Sequence, residues 1–185
     1  WLFGKEIEIP EEWNIFKINQ ISVKNGIKTG PFGSSLVEKE LNGNDVRVLF
    51  PEDIINGKIS HNGKKITKKK FQELKKFETN FGDIVISLMG SIGKTGFVSE
   101  NIKKAIISKH LLKIESDQKL CLSKFLVIIL NSLTIQNQMD SYSQGLTMKG
   151  LNTKIIKNLL VVTPKVQEQQ KIASILSNVD DKITS

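Results

Sequence analysis

The run Leu88-Met-Gly-Ser-Ile-Gly-Lys-Thr95 is the closest approach to a chemical motif, because a loop ending in Gly-Lys-Thr can hold the phosphates of a nucleotide. That motif also needs a glycine five positions before the second one, where Leu88 stands, and a helix opening after the threonine. Gly-Phe-Val-Ser follows Thr95 instead and reads as strand. The loop still suits an anion, since its glycines let backbone N–H groups come close and Lys94 adds charge. A small nucleotide hydrolase or metal-dependent nuclease using Gly90 to Thr95 is therefore the alternative reading. A nuclease would need clustered carboxylates for Mg²⁺. Glu52, Asp53, Glu73 and Asp83 with Lys75 make only a loose set, and Glu73 and Lys75 stand two apart on a predicted helix, facing different ways. Ser34 or Ser35 with His61 or His110 has no spacing that marks a nucleophile and its base. Two histidines and a lone Cys121 exclude a Cys/His zinc framework and an internal disulfide. No site for making or breaking bonds is expected, and no metal or cofactor on this chain.

What remains are polar, glycine-bearing loops. Lys28 and Thr29 lead into Pro31-Phe32-Gly33-Ser34-Ser35, which offers hydroxyls, backbone N–H groups and an aromatic ring. Met89, Ser91, Lys94 and Thr95 line the loop already described. Ser108-Lys109-His110 interrupts an apolar stretch with three polar donors. Gln144, Thr147 and Lys149 supply an amide suited to adenine, a hydroxyl, and a charge for phosphate. The net charge of +8 and the pI near 9.5 favour a polyanion as partner. Of 27 basic residues only Arg47 is arginine, the usual bidentate reader of guanine, so affinity for a nucleic-acid backbone is expected more than base reading, with Gln144 or Arg47 as the expected contact to a base edge. The cluster Lys64, Lys65, Lys68, Lys69, Lys70, Lys75 and Lys76 is read mainly as solvated surface, with an electrostatic flank as its functional reading.

These loops need a scaffold. Phe16, Ile18 and Ile21 alternate as a short strand, and Gly26 to Ser35 reads as a loop. Strands are expected at Asp45 to Phe50, Lys58 to Ser60, Ile84 to Leu88, Phe97 to Val98 and Ala105 to Ile114. Thr67 caps a helix with Phe71, Leu74 and Phe77 on one face, and Ser123 opens another through Phe125, Leu126, Ile129 and Leu133. Ser141 to Gly150 reads as loop and Asn158 to Thr163 as a buried strand. The sum is an α+β domain, with a mixed, twisted sheet and flanking helices. Residues 1–163 form the predicted domain, and 164–185 begin a connector helix. There Gln169, Ile172, Leu176, Val179 and Ile183 repeat at 3, 4, 3 and 4, a coiled-coil seam for a helix elsewhere. A helix folded back on its own domain is the plainer alternative. The length of 185 residues suits one domain, no apolar run reaches the ~18 residues of a membrane span, and the cytoplasm is the expected location.

Taken in order, these segments resemble a known family. Ile9-Pro-Glu-Glu-Trp13, the Thr29-Gly-Pro-Phe-Gly-Ser-Ser-Leu36 loop, and Gly82 through Gly96 resemble the opening, a turn and the central strand–loop–strand of a target recognition domain. This is the domain type of the DNA specificity subunit in Type I restriction–modification systems. Gln144-Gly-Leu-Thr-Met-Lys-Gly-Leu-Asn-Thr-Lys-Ile-Ile-Lys-Asn158, then Val162-Thr-Pro and Gln167-Glu-Gln-Gln-Lys-Ile-Ala173, is similar to its junction with a conserved helix. The resemblance implies a non-catalytic subunit that reads half of a bipartite site on double-stranded DNA. It implies methyltransferase subunits that bind S-adenosylmethionine, and restriction subunits that use ATP and Mg²⁺ and cut. A full member has two recognition domains, whereas one is expected here. A piece of a longer subunit or a half-subunit, pairing through its terminal helix, follows as the expectation.

Overall fold

A computed structural model describes residues 9–32, 35–102, 104–143 and 150–183, with side chains to Val179. The chain begins with β1 (Asn14–Lys17) and β2 (Ser22–Thr29), joined by a single 3-10 turn that buries Ile18. The predicted alternating strand is thus split, because Ile18 and Ile21 both turn into the core at the corner. Next come β3 (Val46–Leu49), the short pair β4 (Ile54–Ile55) and β5 (Lys58–Ile59), β6 (Lys65–Ile66) and α1 (Lys68–Leu74). Thr67 caps α1 as its sequence predicts, its hydroxyl oxygen accepting from the Lys70 amide at 3.2 Å. Then follow β7 (Glu78–Thr79), β8 (Ile84–Ser87), β9 (Thr95–Phe97), β10 (Ala105–Ile107) and β11 (Leu111–Ser116). Helices α2 (Ser123–Leu130), α3 (Leu133–Ser143) and α4 (Thr153–Asn158), strand β12 (Leu160–Thr163) and helix α5 (Val166–Ile183) complete the order.

The architecture is α+β, as expected, but the strands form three sheets rather than one. The largest has the order β2-β11-β8-β9-β5-β4, a second runs β6-β3-β10-β7, and β1 pairs with β12. The first two are mixed: β5 runs parallel to β9 and β3 parallel to β10, while every other pairing is antiparallel. Ala105 to Ile114 is therefore not one strand, since it crosses between sheets at Ser108–His110. Gly26 to Thr29, read as loop, continue β2, whose Asn25 has φ +61° beside the register shift at Ile114 and Ser116. Gly26 is needed there, because an added Cβ would lie 2.6 Å from Val23 Cγ2. Helix α2 ends at Leu130, short of the predicted Leu133, which is exposed and opens α3; α3 carries little apolar periodicity and α4 has only six residues.

The six-stranded sheet is buried on both faces by alternation along its strands. Ile84, Ile86, Leu112 and Ile114 face α2 and the main core, while Val85 and Leu111 face the smaller core against β10. Lys113 points to that second face and is 5% exposed, so its ammonium needs a partner. It donates to Asp83 Oδ2 at 3.0 Å, and the same oxygen accepts from Thr79 Oγ1 at 3.1 Å and the Asn80 amide at 2.8 Å. Cys121 is likewise buried, and burial pushes its thiol up to about 12, so it stays protonated at neutral pH.

Helix α5 divides in two. Gln169, placed in the predicted seam, is fully buried and bolts the helix base to the body. Its Oε1 accepts from the Leu122 amide at 2.8 Å, and its Nε2 donates to the carbonyls of Leu120 and Pro164, both at 2.9 Å. Ala173 is buried and Ile172 half-buried against the same core. Beyond them Ile175, Leu176 and Val179 are 62%, 40% and 46% exposed. The folded-back alternative thus holds for the first two turns, and the apolar stripe continues into solvent after them. The Ile183 side chain lies outside the described residues.

Candidate nucleic-acid interface

Antiparallel pairing sets three loops at one end of the large sheet. Strand β2 leaves at Thr29 opposite Leu112, β8 leaves at Ser87 opposite Leu111, and β11 enters at Leu111. The ends are sewn together. The Gly30 amide donates to Leu111 O at 3.0 Å, the Leu88 amide to His110 O at 2.8 Å, and the Leu151 amide to Leu88 O at 2.8 Å. The last bond brings the downstream flank of the 144–149 segment to the same place. Gly30 lies so close to the Ser108 backbone that an added Cβ would stand 2.1 Å from its carbonyl oxygen. Gly30 and Leu151, 121 positions apart, thereby share one rim.

The central loop is held by its own backbone. Gly90 and Gly93 both have φ +78°, a conformation that side chains rarely adopt. The Gly93 amide donates to Ser87 O at 2.9 Å, the Lys94 amide to Ser91 O at 3.4 Å, and the Ile92 amide to Gly90 O at 3.0 Å. The Thr95 amide donates to Asn131 Oδ1 at 3.3 Å, and Gln136 Nε2 donates to Gly93 O at 3.1 Å. The Ser87 hydroxyl donates to Ser91 O. A phosphate cradle needs backbone N–H groups free and converging on the anion, whereas those of residues 92–95 already have acceptors. Thr95 then enters β9, not a helix, and its buried hydroxyl donates to Gly93 O at 3.0 Å. The hydrolase alternative therefore lacks its geometry. Among the described residues no group of three or more acidic, His or Cys side chains could hold a metal ion.

Exposure sorts the remaining candidates. Lys28, Ser91, Lys94 and Lys109 are exposed on this rim, with Thr29 and His110 half-buried. Phe32 is 71% and Met89 37% exposed. Ser35 is exposed and its hydroxyl donates to Phe32 O at 2.9 Å. Ser108 is 2% exposed, with a hydroxyl that has no hydrogen-bond partner among the described residues. Ser34, Gln144, Thr147 and Lys149 lie outside the described residues.

Arg47 departs from its expected role. It is 7% exposed, and its Nη2 donates to Asp53 Oδ1 at 3.1 Å, Ser60 Oγ at 3.0 Å and Asn62 O at 2.8 Å, while Nη1 donates to Ser60 O. Its terminal nitrogens are spent inside the domain, clamping β3 to the β4–β5 hairpin. A guanidinium on a fully buried strand cannot stay unpaired, and Asp53 supplies the countercharge. Sequence reasoning missed the supports of the rim: Asn131 and Gln136, which hold the central loop, and Met139, whose Sδ would lie 2.9 Å from a Cβ at Gly93. No local signal marks them, since they belong to a helical region 36 or more positions away.

The chain is similar to known proteins. Residues 10–185 match the family model described as Type I restriction modification DNA specificity domain. The EcoBI specificity subunit of Escherichia coli is 30% identical over 173 residues, covering 90% of this chain and 35% of that protein. The MjaIX specificity subunit of Methanocaldococcus jannaschii is 26% identical over 179 residues, covering 95% of this chain and 40% of that protein. The crystal structure of the HsdS subunit from Thermoanaerobacter tengcongensis superposes with a TM-score of 0.62 at 18% identity, covering 98% of this chain and 40% of that one. The chain thus spans two fifths or less of the length of these relatives. No helix among the described residues is long and apolar enough to cross a membrane. With a family model matching nearly from end to end, the chain belongs to the Type I restriction modification DNA specificity domain family.

Proposed function

We propose that this chain is a target recognition domain that reads one part of a bipartite site on double-stranded DNA. It carries out no chemistry itself. The observation that carries the reading is the convergence of residues 28–32, 88–95 and 108–110 on one sheet end with Lys28, Lys94 and Lys109 exposed. Such a rim presents point charges to phosphates and short polar side chains to base edges, which separates register from sequence reading. Phe32 and Met89 offer apolar contact of the kind a thymine methyl accepts. Within a specificity subunit the domain would direct methyltransferase subunits that bind S-adenosylmethionine, and restriction subunits that use ATP and Mg²⁺. The exposed half of α5 suits a second recognition domain or a second copy as neighbour, and Leu176 and Val179 would meet it.

The test is a binding titration on duplex DNA over a range of salt, with and without the methyltransferase partner. Lys94→Ala and Lys149→Ala are each expected to lower the salt slope by about 0.9 and to weaken all sequences alike. Gln144→Ala is expected to cost about 1–3 kcal/mol of preference on cognate DNA alone. Equal affinity for every duplex, with the partner present, would overturn the reading.

A further inference from the structure

The segment from Lys64 to Lys76 holds seven lysines and one acid, Glu73. The structure separates six of them into two groups, while the seventh, Lys65, is exposed on β6. Lys64 pairs with Glu38 at 2.7 Å, and Lys70 pairs with Glu40 at 2.9 Å and Glu73 at 3.1 Å. These pairs occupy Glu38, Glu40 and Glu73, while Asp45 Oδ2 accepts from the Lys68 backbone amide at 3.0 Å. Lys68, Lys69, Lys75 and Lys76 are exposed, and none has an acidic partner among the described residues. Lys104, just before β10, is exposed as well.

Placement gives the group a direction. Helix α1 buries Phe71 and Leu74 against β3, β6 and β10, which turns its lysines outward. The 3-10 turn Lys75–Phe77 that follows packs beside β10 and leads into β7. There Glu78 sits opposite Ile106, so the turn lies next to the end of β10, where Ser108 begins its loop. The cations therefore run from the far end of the second sheet up to the rim that carries Lys109. Two of the ammonium groups lie over aromatic rings, Lys76 Nζ 5.0 Å from the Phe77 ring and Lys104 Nζ 5.0 Å from the Phe71 ring. Seven helical residues and three 3-10 residues extend about 16 Å. Against one phosphate per 3.4 Å of each strand, that is roughly five base pairs of backbone.

We propose that Lys68, Lys69, Lys75 and Lys76, flanked by Lys104, bind the phosphates of the duplex outside the bases read at the loop rim. This contact is independent of sequence and serves as a second, purely electrostatic foothold. It rests on the DNA-reading proposal above. Lysine suits it, because a flexible point charge follows phosphates without demanding the planar geometry of a bidentate contact.

The test uses the whole chain and a fluorescein-labelled 40-base-pair duplex of arbitrary sequence. The combined variant Lys68→Gln, Lys69→Gln, Lys75→Gln and Lys76→Gln keeps helix propensity and removes four charges. Its slope of log affinity against log salt is expected to fall by about 3 to 4, at ~0.9 per phosphate. Lys68→Gln with Lys69→Gln, and Lys75→Gln with Lys76→Gln, are each expected to remove about half, and four Lys→Arg changes to restore the slope. The pairs also decide the matter if the fourfold variant fails to fold. Unchanged slopes in both pairs, with the parent chain still binding in a salt-dependent way, overturn this inference alone. A parent chain that binds no duplex at any salt overturns the DNA reading and this foothold with it.

Discussion

At the scale of single residues, Gly30 lets the rim close, and a buried ion pair joins β11 to the start of β8. Gly30 exists as glycine because the Ser108 backbone occupies the space of any side chain, at 2.1 Å from an added Cβ. Gly30→Ala forces the 28–32 and 108–110 loops apart, with an expected loss of about 1–3 kcal/mol in urea unfolding and weaker DNA binding. Asp83 and Lys113 form a buried ion pair, and charges so placed cost far more alone than together. Lys113→Met leaves the Asp83 carboxylate buried without its countercharge and is expected to destabilise the domain by about 3–5 kcal/mol. Adding Asp83→Ala to it should recover part of that loss, and additive losses in the double-mutant cycle would show that the pair is not coupled. Arg47 follows the same logic: its type suggested a base reader, and its burial beside Asp53 makes it a clamp. Residue type alone cannot separate the two roles, because both ask for planar, directed donors.

At the scale of elements, α5 is two objects in one helix. Its base is fixed by the Gln169 side chain, which accepts one hydrogen bond and donates two, and its distal half presents Leu176 and Val179 to solvent. Gln169→Leu strands the Leu122 amide and two carbonyls, and should lower stability by about 2–4 kcal/mol in thermal or urea melts. Leu176→Asp with Val179→Asp should change the melt by less than about 1 kcal/mol and abolish association through the helix, read by sedimentation. A stability loss like that of Gln169→Leu would mean that the distal turns also belong to the core. The 3, 4 spacing was visible in the sequence, yet a heptad pattern describes both a helix lying on its own domain and one awaiting a partner. Packing assigned the first role to Gln169 and Ala173 and left the second open only beyond them.

At the scale of the whole molecule, the surplus of lysine makes the surface repel itself, and paired carboxylates offset this locally. Lysine hydrogen bonds hold the Glu12 and Glu38 carboxyls below the ordinary range, through Lys165 and Lys64. The Glu40 carboxyl is lowered first by the Val37 amide and then by Lys70. A carboxyl lowered in the folded state stabilises the fold above its unfolded value, and the contribution is lost as pH falls through the folded one. The melting temperature is therefore expected to be level from pH 6 to 8 and to fall as the pH drops below about 4, where these carboxylates begin to take up protons. Each exposed pair contributes little, and high salt should shrink the dependence further. A melting temperature that rises on acidification would refute this assignment.

The strands around Ile84 and Val46, the capped helix after Thr67, and the glycine loop that ends in a strand could all be read from the chain, because each depends on neighbours a few positions away. Net charge also needs no coordinates, and its sign favours a polyanion. The crossing at Ser108–His110 between two sheets could not be read from the chain, nor could the burial of Arg47, the bolt at Gln169, or the meeting of three loops on one rim. Each of these joins residues far apart in the chain, through pairings and close contacts that exist only once the sheets have formed. Local preference acts over a few residues, while the choice between reader and clamp, or seam and anchor, is made by what lies across the fold.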